Sequence, residues 1–178
     1  EEMHVRTAFR RVDPNNTYRP LNYDDHMLNK FGFYRSSRAH FDENYGSSFS
    51  DVIRNIRRFR LWEDYIDADG DGEMDYADMT PKPIVYYLSE NFPRNLIPGA
   101  VDLADQWNGP FKDVIENLSG KPYEGRMFVL CENNNAEVAA ILENDPNAVL
   151  AETNPEYCKD MDRAKLIGDL RYNNLVSV

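Results

Sequence analysis

The sequence predicts an α+β protein in three parts: an aromatic-rich, β-containing N-terminal region (residues 1–66), an acidic loop (67–80), and an α/β unit running strand–helix–strand–strand (81–178). Three observations carry this prediction. Eight Tyr and Phe residues crowd positions 17–50, and aromatic side chains favour strands. Asp67-Ala68-Asp69-Gly70-Asp71-Gly72 opens a run of twelve residues with six acidic side chains. Beyond it, short apolar runs of strand length flank one long stretch with helical spacing.

Composition bounds the function classes. Apolar content of 42% with 12% aromatics supports a packed core and excludes wholesale disorder. The net charge of −11 is uneven: residues 1–66 carry 11 Lys/Arg against 10 Asp/Glu, and residues 67–178 carry 9 against 21. An acidic surface of this kind disfavours nucleic acid and anionic lipid as partners and suits divalent cations. No apolar run reaches the roughly 18–20 residues needed to span a bilayer. Neither an initiator Met nor a signal peptide is present, so the chain is expected to begin as a trimmed product.

Taken in order, Glu1–Val12 alternates loosely (Met3, Val5, Ala8, Phe9, Val12), as a strand packing one face does. Asp13-Pro14-Asn15-Asn16 is a turn. Phe31–Phe41 reads as β, with Gly32 marking a bulge or a close contact. The aromatics of 17–50 are expected to build a small core; a sugar- or peptide-binding surface is the alternative. Over residues 51–66, helix and strand remain undecided. Val52, Ile53, Ile56, Phe59, Leu61 and Trp62 are expected inside, with Arg54, Arg57, Arg58 and Arg60 outside over an acidic face.

The acidic run reads D-x-D-x-D-G-x-Φ-x-x-x-D, Φ being apolar. Ca²⁺ takes several oxygen ligands in a loose shell, and this spacing supplies them. Asp67, Asp69 and Asp71 would donate carboxylates at positions 1, 3 and 5. Glu73 would offer its main-chain carbonyl, Asp75 would act through water, and Asp78 would close the shell at position 12. Gly72 sits where the loop must bend, and Met74 where one apolar side chain turns inward. The plain alternative is a solvated acidic turn. Asp in place of Glu at position 12 implies modest affinity. Thr80-Pro81-Lys82-Pro83 forbids an exiting helix, so a structural EF-hand-like loop is expected rather than a sensor.

Ile84–Leu88 is an apolar five-residue run, hence a buried strand. A helix follows, with Asn95 as N-cap, Pro98 in its first turn and Gly120 at its end. Gly109-Pro110 predicts a kink or break near Asn108. Arg126–Cys131 is a second strand, 132–165 a polar excursion with a short helix near Ala136–Leu142, and Leu166–Val178 a third strand. Cys131 and Cys158 bracket the excursion and belong to no C-x-x-C pair. Their disulfide would add about 3–4 kcal/mol and imply a secreted or cell-envelope location; two separate buried thiols are the alternative.

Catalytic motifs are missing. His4, His26 and His40 are isolated, no G-x-S-x-G occurs, and no Gly-rich loop follows a strand. Asn15-x-Thr17 and Asn117-x-Ser119 are glycosylation sequons, relevant only in a eukaryotic secretory host.

Pro81–Pro93, Ala104-Asp105-Gln106-Trp107-Asn108 with Phe111, Met127–Asn134 and Gly168–Asn173 resemble, in order and spacing, the opening strands and first helix of secreted bacterial metzincin-type zinc metalloproteases. That resemblance implies a partial zincin-like α/β domain lying ahead of the zinc helix. The family's H-E-x-x-H-x-x-G-x-x-H motif does not occur here, so no catalytic residue carries over. Zinc would enter only with a downstream segment, and the partner implied is the C-terminal remainder of the protein or a second chain. The competing class is a calcium-stabilised extracellular structural or adhesion module without enzyme activity.

Overall fold

The computed structural model describes residues 11, 14–133, 135–148, 150–152, 156–158 and 173–176, and these form a mixed α+β protein. Contacts divide the chain into two compact units. One is Thr17–Arg60; the other joins Glu1–Asn16 to Leu61–Val178 and so holds both the acidic loop and the α/β region. The strand expected over Glu1–Val12 lies, Arg11 excepted, outside the described residues.

In the smaller unit, α1 (Asp25–Phe31) starts where the Asp24 carboxylate accepts the Met27 N–H at 2.9 Å. It stops at Gly32, whose φ of 71° is the left-handed conformation of a helix C-terminus. Gly32 is therefore a helix terminator and not a strand bulge. Strands β1 (Arg35–Asp42) and β2 (Gly46–Ile56) form an antiparallel hairpin, which settles residues 46–56 as strand. Its turn is held by Asp42 Oδ1, which accepts the N–H groups of Asn44 and Tyr45. Tyr23 is buried against the hairpin, and its hydroxyl accepts the Phe33 N–H at 3.0 Å.

Of the described aromatics in this region, Tyr23 is buried as expected, but most of the others are not. Tyr34 is 86% exposed, Tyr45 89% and Phe41 67%; Phe31 and Phe33 are half exposed and stack on each other at 6.3 Å. A two-stranded sheet offers no second layer against which large rings can be buried. Phe59, expected inside, is half exposed as well.

Asp25 links the helix to the hairpin, with Arg35 at 2.6 Å and Arg54 at 3.9 Å. The hydrogen bond from Arg35, helped by the charge of Arg54, lowers the Asp25 pKa. A lowered folded-state pKa contributes stability above the unfolded value and loses it as pH falls through the folded one. In a carboxyl-carbon NMR titration, Asp25 should titrate below the ordinary aspartate range and return toward it in Arg35→Gln.

The larger unit is built on a parallel sheet of β3 (Ile84–Leu88), β4 (Phe128–Cys131) and β5 (Asn173–Leu175), in the order β4-β3-β5. Helix α2 (Ile97–Ser119) connects β3 to β4, and α3 (Asn135–Asn144) lies within the excursion. Successive strand residues point to opposite faces. Leu88 and Leu130 pack with Ile97, Ala100 and Ala104 of α2, whereas Tyr87, Val129 and Cys131 pack with Cys158. Cover on both faces is why Ile84–Leu88 is apolar throughout.

Two expectations for α2 are corrected. A 3-10 turn over Arg94–Leu96 leads into it, so Leu96 and not Asn95 holds the cap position, without a side-chain cap. The helix also runs unbroken through Pro110. A proline inside a helix costs about 3 kcal/mol, and full burial of an Ile side chain returns roughly 1.5–3 kcal/mol. Ile97 and Ile115 are buried on either side of Pro110, so packing outweighs the break. Asn108 reinforces this: its Oδ1 accepts the N–H groups of Met127 at 2.8 Å and Phe128 at 3.2 Å. Gly120 ends the helix as expected, with φ of 67°. Of the third expected strand, residues 173–175 are seen as β5, and 159–172 lie outside the described residues. Among the described residues, no helix is long and apolar enough to cross a membrane.

Candidate metal centre

The acidic loop is anchored at its base. Trp62 pairs with Pro81 in an antiparallel bridge, the Glu63 N–H donates to the Thr80 carbonyl, and the Lys82 N–H donates to the Leu61 carbonyl. The loop thus enters and leaves through short extended stems; an EF-hand would have helices there. Its only regular element is a 3-10 turn at Tyr76–Asp78. Above the stems, the Asp75 N–H donates to the Ile66 carbonyl at 3.0 Å. Met74 turns inward, as expected from its position, onto the buried cluster of Trp62, Met79, Ile115 and Met127. Lys121 clamps the far side by donating from Nζ to the Ala77 carbonyl at 2.6 Å.

Within this frame the carboxylates of Asp67, Asp69 and Asp71 converge, each offering an oxygen within 4.8 Å of the other two. The glycines between and after them permit the bend: Gly70 has φ of 76° and Gly72 of 91°. Asp69 Oδ1 accepts the Asp71 N–H at 3.2 Å, and Asp71 Oδ1 accepts the Glu73 N–H at 2.7 Å. Those bonds fix the side chains to their own loop. Asp67 is half buried; Asp69 and Asp71 are exposed.

The remaining predicted ligands stand differently. Asp75 Oδ2 accepts the Ala68 N–H at 2.6 Å, so it ties the two halves of the loop together. Asp78 is exposed on the 3-10 turn and lies outside the converging trio. Glu73 is exposed, with its N–H engaged by Asp71. Among the described residues, no other group of three His, Cys, Asp or Glu side chains converges in this way.

The trio fits a hard cation. Ca²⁺–oxygen distances of about 2.3–2.6 Å let one ion bridge oxygens separated by up to about 5 Å, and the donors are all carboxylates. Each like-charge pair at this spacing repels by about 1 kcal/mol in water, and a divalent ion converts that repulsion into attraction.

The cysteines join as expected: Cys131 and Cys158 form a disulfide, with Cα atoms 5.7 Å apart, and both are buried. Next to it lies a polar cluster that sequence reasoning missed. Glu132, only 3% exposed, receives Arg94 Nη1 on both carboxylate oxygens (3.2 and 3.0 Å) and the Ala151 N–H on Oε1 at 3.2 Å. Asn133, equally buried, donates from Nδ2 to the Leu88 carbonyl at 2.7 Å. An acid directly after the apolar run Phe128–Cys131 was the available signal. A cleft of about 260 Å³ beside α2 and β4, lined by Ala104, Asp105, Arg126, Leu130 and Glu152, carries the Arg126–Asp105 ion pair at 2.5 Å.

No family model matches this chain, and no curated protein or solved structure does.

Proposed function

We propose that this chain is the calcium-binding N-terminal portion of a secreted metzincin-like zinc metalloprotease, not catalytic by itself. Convergence of Asp67, Asp69 and Asp71 in a glycine-bent loop is the observation that carries the calcium reading. Bound Ca²⁺ would complete its shell from Asp75 (through water), from Asp78, from the Glu73 carbonyl and from further water, in an EF-hand-like manner. Its role is structural: Met74 and the Trp62–Pro81 stems join the loop to the core of the larger unit, so holding the loop holds that core.

The protease reading is supported by the succession β3, α2, β4 and β5 in a parallel sheet, with the short α3 inside the excursion between β4 and β5, as the resemblance implies for a partial zincin-like unit. A disulfide supports an extracellular or envelope location, because disulfides persist in oxidising compartments. Zinc and a general base would come from the C-terminal remainder or a second chain, where zinc would activate water for peptide hydrolysis. The exposed rings of Tyr34, Phe41 and Tyr45 favour a second reading, an adhesion module without enzyme activity.

The two readings separate at the gene. An H-E-x-x-H helix encoded downstream of Val178 supports the protease, and a stop codon there removes it. The calcium claim is tested by melting. Calcium at a hundredfold excess over its Kd should stabilise the protein by about 2.7 kcal/mol, raising Tm by about 5–10 °C. EDTA should reverse the rise and Asp71→Asn should blunt it; an identical Tm with calcium and with EDTA would sink the assignment.

A further inference from the structure

Among the described residues, one face of the hairpin in the smaller unit carries the exposed side chains Tyr34, Ser36, Arg38 and Arg57. Strand alternation and the pairings Arg38↔Ile53 and Ser36↔Asn55 place Ser36, Arg38, Ile53 and Asn55 on it. The bond from the Arg57 N–H to the Tyr34 carbonyl extends the ladder by one pair and adds Tyr34 and Arg57 to the same face. The opposite face carries Arg35 and Arg54, which are engaged by Asp25. On the open face, Arg38 and Arg57 are exposed and make no ion pair with any described carboxylate, and Tyr34 is 86% exposed.

Charge is placed to match. Residues 17–60 carry 8 Lys/Arg against 5 Asp/Glu, a net of +3, while the rest of the chain carries 12 against 26, a net of −14. Two exposed guanidiniums beside an open aromatic ring offer an anionic ligand both charge complementarity and a stacking surface. We propose that this face binds a carboxylate-bearing polysaccharide, a polymer of uronic acid sugars.

The chemistry of the three side chains selects that occupant. A guanidinium presents a planar fork that matches a carboxylate, so Arg38 and Arg57 each receive one uronate group. An open tyrosine ring offers its flat face to the C–H face of the pyranose whose carboxylate Arg57 receives. Arg57 lies opposite Tyr34, and Arg38 stands four residues further along, about 13 Å at strand rise. A sparsely charged, extended polymer spans that interval. A peptide anchor, by contrast, needs a walled, desolvated pocket, and an 86% exposed ring has no walls. Nucleic acid carries a charge every ~1.7 Å, far denser than two guanidiniums about 13 Å apart can match.

The test uses the whole chain in EDTA, so that calcium held by residues 67–78 plays no part. Binding of oligogalacturonate is measured by calorimetry beside its fully methyl-esterified form and poly-glutamate. Expected is binding of the acidic glycan that weakens with salt. Tyr34→Ala, Arg38→Gln and Arg57→Gln should each lower affinity about fivefold to tenfold while melting as the parent does. Equal binding of the methyl ester, or of poly-glutamate, would overturn the proposal. So would no binding at millimolar glycan, or variants whose only defect is a lowered Tm.

Discussion

Replacing Cys131 and Cys158 together by alanine should lower the stability of the larger unit by about 3.5 kcal/mol, the largest effect expected of any change here. The bridge closes a loop of 27 residues, and the chain-entropy estimate for that length gives this value. Lost packing adds to this entropic value, because both cysteines also lie in the cluster with Tyr87 and Val129. Replacement by serine would leave hydroxyls in that apolar cluster and cost more still. Urea unfolding of the oxidised parent, the reduced parent and the double variant provides the check. Equal midpoints for oxidised and reduced protein would show that the bridge contributes nothing.

The second large effect should come from Arg94. Its guanidinium neutralises Glu132, a carboxylate only 3% exposed at the end of β4. Removing one partner of a buried pair typically costs 3–5 kcal/mol, since the other charge stays behind without compensation. Arg94 is itself about a third exposed, so the value expected for Arg94→Met is nearer about 2–3 kcal/mol. Adding Glu132→Gln should recover part of this loss, because the amide oxygen still accepts the Ala151 N–H and no buried charge remains. A double-mutant cycle reads the coupling directly. Strict additivity of the two changes would mean that the pair is not a unit.

Much of the larger unit was legible in its sequence because local pattern and tertiary environment agree there. Ile84–Leu88 is apolar because the sheet is covered on both faces, and Gly120 ends α2 because the chain needs a positive φ at that point. The Asp67–Asp69–Asp71 trio follows from side-chain spacing and two permissive glycines, which is information carried within six residues. Where the reading failed, distant groups decided. Pro110 marks a local break, but Ile97, Ile115 and the Asn108 bonds to Met127 and Phe128 hold the helix on both sides of it.

The smaller unit misled for the opposite reason. Its Tyr and Phe residues have core-forming chemistry, yet a hairpin with one short helix provides too little surface to bury them. Helix α1 had its own signals, Asp24 before it and Gly32 after it, hidden within a stretch read as β. The buried Glu132–Arg94 pair joins residues 38 positions apart, and no local pattern announces such a contact.

Calorimetric titration of the protein with Ca²⁺, repeated on the Asp69→Asn/Asp71→Asn double variant, tests the metal centre most directly. Expected are one ion per chain in the parent, little competition from equimolar Mg²⁺, which demands a tighter octahedral shell, and loss of the heat in the variant. No heat at several millimolar Ca²⁺, or an unchanged isotherm in the variant, would contradict it.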